Sequence, residues 1–134
     1  AKQRGFDEAI LLDQSGDVSE APGENIFLVK NNELITPPLT SSALNGITRK
    51  SIITIAKDMG FKTKVRKVSK KELKLADEVF LSGTAAEITP VIQIDKKRIK
   101  GSKVGNITKL LMTTYSNIVM NKNKKYSQWL TRVY

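Results

Sequence analysis

Read for apolar and polar positions, the chain breaks into short apolar runs set between turn-forming residues, with two longer stretches of helical period. Glu8 to Asp13 (EAILLD) and Ile26 to Lys30 (IFLVK) are runs of strand length, and the first reads as a buried strand ending in a Gln14 to Asp17 turn. After the second come Asn31 and Asn32, residues that accept the left-handed backbone of a tight hairpin, so Glu33 to Thr36 is predicted to pair back. Pro37 and Pro38 end that ladder because proline has no N–H to donate. Phe61 to Val68 alternates apolar and basic residues, the period of a strand with one solvated face. Glu78 to Leu81 and Ile88 to Ile94, the latter interrupted by Pro90, complete the strands, with a turn over Asp95 to Arg98.

From Ile47 onward the period changes. Ile52, Ile53, Ile55, Ala56 and Met59 share one helical face, and Gly60 supplies a C-cap. Ser69 and Glu72 have capping-box spacing for a short helix through Ala76. Val104 to about Met120 is amphipathic, with Ile107, Leu110, Leu111, Tyr115, Ile118 and Val119 on the inner side. The opening, Ala1 to Gly5, reads as the tail of a helix, and with a first residue that is not Met it predicts a chain that starts inside a longer protein. Hairpins with interspersed helices predict a mixed α/β (α+β) layered domain, without repeats or linkers.

Composition narrows the chemistry more than the fold. The 134 residues suffice for one domain with its own core, and 40% apolar with 27% charged residues is the balance of a soluble globular protein. No apolar run approaches the roughly 20 residues of a membrane helix, and no signal peptide is visible, so no membrane association and a cytoplasmic setting are expected. There is no cysteine and no histidine. Disulfides, thiolate metal sites and histidine-activated nucleophiles are thereby excluded, and no metal is expected. Any chemistry must use lysine, tyrosine, carboxylates, backbone N–H groups or a bound cofactor. The net charge of +10, from 23 basic and 13 acidic residues, raises a nucleic-acid-binding module as an alternative. The lysines are scattered, however, and aromatics are only 6% of the chain, so a solvated lysine coat explains them equally.

Three irregular segments could carry a site. Gly46-Ile47-Thr48 opens a helix, where free N–H groups and partial positive charge suit a phosphate; Thr48 adds a hydroxyl and Arg49 a charge. Taken alone it reads as an ordinary helix cap. Ser82-Gly83-Thr84-Ala85-Ala86 leaves a strand end with hydroxyls and successive N–H groups that could form an anion nest, or simply a turn of small residues. Ser19 to Asn25 places carboxylates before a strand; one of them beside a pyridine nitrogen would strengthen the ring as an electron sink, although a loop glutamate is more often only solvated.

In combination the segments are far more specific. VSEAPGENIF (Val18 to Phe27), TPPLTSSALNGITR (Thr36 to Arg49) and ADEVFLSGTAAEITPV (Ala76 to Val91) resemble the class IV, fold-type-IV aminotransferases that use pyridoxal 5'-phosphate, in order and spacing as well as in residues. The resemblance runs from Gly5 to the Trp129 tail and is strongest to the branched-chain amino-acid aminotransferases; D-amino-acid aminotransferases and aminodeoxychorismate lyases share the scaffold. It implies a carboxy-terminal, cofactor-binding domain of the D-amino-acid aminotransferase type, with a barrel-like curled sheet and outer helices. It implies that Glu20 pairs with the pyridine nitrogen, Leu44 packs on the ring face, Ile47 and Thr48 bind the phosphate at the helix start, and Thr84 gives a second phosphate contact. The backbone of Thr84 and Ala85 would anchor the substrate carboxylate, and Glu24 and Asn25 would be structural. In this family the Schiff-base lysine, its neighbouring tyrosine and a phosphate-gripping arginine precede the segment beginning at Ala1, so no catalytic lysine is expected here and Lys2 is not a substitute. The chain alone is expected to be inactive. The amino-terminal domain would be the missing partner, in the same chain or as a separate one. The full enzyme would be a homodimer or larger, moving an amino group between leucine, isoleucine or valine and 2-oxoglutarate.

Overall fold

In the computed structural model, which describes residues 1–133, a mixed sheet forms the centre, and the two long helices cover one of its faces. A short 3-10 turn, Lys2–Arg4, closes on Gly5 in the left-handed conformation. Strand β1 (Glu20–Ala21) folds back on β2 (Glu24–Lys30) over Pro22 and Gly23. Asn31 and Asn32, at φ 50° and 60°, turn β2 into β3 (Glu33–Thr36), as the pair of asparagines predicts. Helix α1 (Ile47–Asp58) then crosses to β4 (Lys62–Val65), which lies parallel to β3. After α2 (Lys70–Lys74), strands β5 (Glu78–Gly83) and β6 (Glu87–Val91) complete the order β4-β3-β2-β5-β6, with β1 on the end of β2. All pairs but β3–β4 are antiparallel, and β4 does not pair with β6, so the sheet is open.

Both sheet faces are buried along β2 and β5, which is why these strands read as nearly continuous apolar runs. Phe27, Val29, Leu34 and Phe80 face α1 and α3 (Asn106–Val119), with the rings of Phe27 and Phe80 stacked 4.9 Å apart. Ile26, Leu28, Ile35, Val79 and Leu81 face the other way, against Val18, Val68, Leu73, Ala76 and Ile99. A final 3-10 segment, Lys124–Trp129, is tied to the end of α1 by the Tyr126 hydroxyl donating to Asp58 (2.7 Å).

Several expected elements differ. Glu8 to Asp13 is not a strand: Leu12 makes an isolated bridge to Val18, and Leu11 exchanges backbone bonds with Ser19 and Glu20. The Asp13 carboxylate accepts the N–H groups of Ser15 and Asp17, reversing the chain before a ladder can grow and leaving Leu11 and Leu12 exposed. Phe61 to Val68 narrows to β4; the Arg66 N–H makes a last bond to the Thr36 carbonyl (3.1 Å), and its side chain pairs with Glu72. Ser69 caps α2 by accepting the Glu72 N–H, as predicted, but the helix stops at Lys74 rather than Ala76. Gln93–Ile94 leaves the Ile88 to Ile94 run to form a ribbon, β7, with β8 (Lys97–Arg98), because Asp95 takes a left-handed turn conformation at φ 53°. On α3, Leu111 and Ile118 are buried as expected, whereas Leu110 and Val119 are 45% and 46% exposed.

Candidate functional site

The three segments singled out in the sequence meet at one end of the sheet. The β1–β2 hairpin brings Glu20 and Asn25 opposite each other; β5 lies beside β2 and places Ser82 opposite Asn25, so Thr84 follows directly at the strand end. The loop after β3 returns across this end and delivers Leu44, Gly46 and the first turn of α1. Together they line a cavity of about 180 Å3, with Glu20, Leu44, Ile47, Thr48 and Thr84 all in its wall. Ala85 lies in the adjoining turn, exposed and outside the lining.

The acid wall is held from the loop. Glu20 Oε2 accepts the Leu44 N–H at 2.8 Å and the Asn25 amide at 3.4 Å. The same Asn25 Nδ2 donates to the Leu44 carbonyl at 2.8 Å. Glu20 Oε1 has no hydrogen-bond partner among the described residues. Leu44 and Ile47 show their side chains, 67% and 79% exposed, although both are large and apolar.

The opposite wall is the start of α1. Its N-cap is Gly46, which has no side chain to satisfy the first N–H groups, and no acidic residue lies in the first turn. Such a terminus carries partial positive charge. Thr48 is buried, with its hydroxyl 3.4 Å from that of Tyr115 on α3. Arg49 turns beneath the loop and donates to the Pro37 carbonyl (3.0 Å); burial pulls its pKa below the ordinary value. Its Nε has no partner, and no carboxylate pairs with it among the described residues. The Ser82 hydroxyl, in a residue only 1% exposed, also lacks a partner, and Ser82 lines the cavity.

Sequence reasoning includes Ser82 in a candidate anion-binding turn but gives it no role of its own; only its pairing with Asn25 places it at the cavity. Arg49, expected to add charge at the helix start, does so from beneath rather than from the cavity wall. The Glu24 carboxyl, also in the lining, has its pKa raised, by burial first and then by the charge of Glu8. Among the described residues there is no cluster of metal-ligating side chains, and no helix is long and apolar enough to cross a membrane.

The arrangement offers an anion end, an acid end and exposed apolar surface between, the features that bind a phosphorylated heteroaromatic ring. The buried, unpartnered Ser82 hydroxyl, the uncapped helix start and the free Glu20 oxygen fit pyridoxal 5'-phosphate.

Comparison with known proteins points the same way. The family model for amino-transferase class IV matches residues 1–94. A probable branched-chain-amino-acid aminotransferase of Aquifex aeolicus is 47% identical over all of this chain, which covers 43% of that protein. The crystal structure of a branched-chain aminotransferase from Thermoproteus uzoniensis with norvaline matches at 48% identity and a TM-score of 0.95, over 100% of this chain and 44% of that one. The T.th. branched-chain amino acid aminotransferase complexed with N-(5'-phosphopyridoxyl)-L-glutamate matches at 42% identity and a TM-score of 0.97, over 100% and 45%. The chain thus spans less than half the length of the relatives it matches.

Proposed function

This chain belongs to the class IV aminotransferases, and from that premise we propose that it forms the cofactor-binding part of a longer branched-chain amino-acid transaminase that uses pyridoxal 5'-phosphate. The observation that carries the reading is the convergence of three separate segments on one cavity, with Glu20 on one wall and the uncapped start of α1 on another.

Bound there, the cofactor supplies an electron-withdrawing ring that stabilises negative charge developing on the substrate. The residues of this chain bind and orient it. The α1 N-terminus, the Ile47 and Thr48 N–H groups and the Thr48 hydroxyl would hold the phosphate, with the Thr84 hydroxyl as a second donor. Arg49 beneath the loop adds positive potential to that end without entering the cavity wall. Glu20 Oε1 would hold a proton at the pyridine nitrogen, because an anionic carboxylate favours the protonated ring. Leu44 would cover one ring face and exclude water. The turn at Thr84 and Ala85 would present backbone N–H groups to the substrate carboxylate.

The lysine that reacts with cofactor and substrate is assigned to the other part of the longer protein. The T.th. relative's phosphopyridoxyl-glutamate ligand supports glutamate and 2-oxoglutarate as one substrate pair, and the branched-chain names of the relatives support leucine, isoleucine and valine as the other.

The test is a pyridoxal phosphate titration of the full-length protein. A visible absorbance band that leucine discharges, present in the full protein and absent from residues 1–134 alone, is the expected result. A full-length protein that binds no cofactor would overturn the reading.

A further inference from the structure

Asn25, only 5% exposed, is a polar residue of the cavity wall that the proposed function leaves without a role. Its amide touches the acid, the loop and the helix cap. Nδ2 donates to the Leu44 carbonyl (2.8 Å) and to Glu20 Oε2 (3.4 Å). Its Oδ1 lies so close to Gly46 that a methyl group on that Cα would collide with it. Gly46 has ordinary φ and ψ, −62° and 142°, so the glycine is required by Asn25 and not by the backbone.

The consequence is a division of labour within one carboxylate. Oε2 of Glu20 takes both hydrogen bonds from the protein, one from the Leu44 N–H and one from Asn25, while Oε1 takes none. Two donors arriving at one oxygen from different segments restrict rotation of the carboxylate, so the other oxygen keeps a preferred direction. Asn25 also holds the Leu44 carbonyl and packs on Gly46, the N-cap of α1. The acid and the phosphate-binding helix start are therefore both braced on one buried amide, which sets the distance between the two binding ends.

Resting on the cofactor reading above, we propose that Asn25 is a positioning residue: it fixes Glu20 so that Oε1 alone meets the ring nitrogen, and it locks that acid in register with the start of α1. Asn25 acts through its contacts with Glu20, Leu44 and Gly46. An aspartate at 25 would keep the shape but replace the donor with a second negative oxygen beside Oε2, repelling Glu20. An alanine would remove both bonds. Gly46→Ala would displace the Asn25 amide by sterics alone.

The experiment compares the affinity of the full-length protein for pyridoxal phosphate and for its 1-deaza analogue, which keeps the phosphate and ring but has no nitrogen. Wild type is expected to prefer pyridoxal phosphate by about tenfold or more, the span of one charge-assisted hydrogen bond. Asn25→Asp and Asn25→Ala are expected to lose most of that preference while binding the analogue within about threefold of wild type. Asn25→Asp, nearly the same shape as the wild-type side chain, provides the test if Asn25→Ala fails to fold. Loss of both affinities in equal proportion, or a preference unchanged in both variants, would overturn the proposal. A wild type that does not distinguish the two ligands would instead overturn the assignment of Glu20 to the ring nitrogen.

Discussion

Helices α1 and α3 begin with related sequences, Gly46-Ile47-Thr48 and Gly105-Asn106-Ile107-Thr108, and neither receives a side-chain cap from its own N-cap glycine. At α3 the Glu78 carboxylate reaches over from β5. Oε1 accepts the Ile107 N–H at 3.2 Å, and Oε2 accepts the Thr108 N–H and hydroxyl, each at 2.7 Å. Gly105 is needed because that carboxylate fills the space a Cβ would take. At α1 no carboxylate among the described residues bonds the first N–H groups, and the helix start opens on the cavity. The same local device is closed by the protein's own carboxylate in one place and left open at a cavity in the other. A helix terminus therefore signals a binding site only when the fold withholds the partner it could have supplied.

Changes at the two termini should separate stability from binding. Gly105→Ala is expected to have the largest effect, about 3 kcal/mol of stability, because it expels Glu78 and leaves three donors unpaired at once. Thermal or denaturant unfolding of the full-length protein reads this directly, and a shift under about 1 kcal/mol would mean that the carboxylate relocates freely. Glu78→Gln keeps the shape but removes the charge from the positive end of α3, for an expected loss of about 1.5–2 kcal/mol by the same unfolding measurement. Thr48→Val should do the reverse: stability within about 1 kcal/mol of wild type, with pyridoxal phosphate affinity about tenfold lower by equilibrium titration. An affinity loss caused by Gly105→Ala and not by Thr48→Val would invert the contrast.

The smallest expected effect concerns pH. Arg66 holds the Glu72 carboxyl below the usual glutamate range by a paired hydrogen bond. A carboxyl whose pKa is depressed on folding contributes stability that is present above its unfolded value and lost as pH falls through the folded one. Melting temperatures should therefore drop in the acid limb, and Glu72→Gln should flatten that drop. The Arg66 side chain is 40% exposed, so the change should stay below about 1 kcal/mol. An acid limb identical in wild type and variant would show that other carboxyls govern it, Asp58 and Asp77 being also held low by their partners.

Much of this arrangement is legible in the sequence. The Asn31-Asn32 turn, the cap at Ser69 and the helix from Ile47 depend on neighbours along the chain, where propensity and spacing act. What escapes a sequence reading depends on particular partners. The Glu8 to Asp13 run has strand composition, but the Asp13 turn stops it, and Leu11 and Leu12 lie exposed. The Glu78 cap spans 29 and 30 positions, and no local pattern links a strand's first residue to that helix. At the site, Glu20 and Thr48 stand out because their residue types carry chemistry. Asn25 reads as no more than structural, because the feature that distinguishes it is its contact with Leu44, 19 residues away. The repeated Gly-Ile-Thr-like motif is a usable signal for comparing the two helix starts.

The sheet's order leaves β4 and β6 as its outermost strands. Strand β4 carries Lys62 and Lys64, both drawn to Glu33, and β6 contains Pro90. A second copy approaching β4 to add a strand would have to bring its backbone past two held ammonium groups, and one approaching β6 would find its row of donors interrupted by an imino acid. Growth into a continuous ribbon of stacked chains is thereby discouraged at both borders.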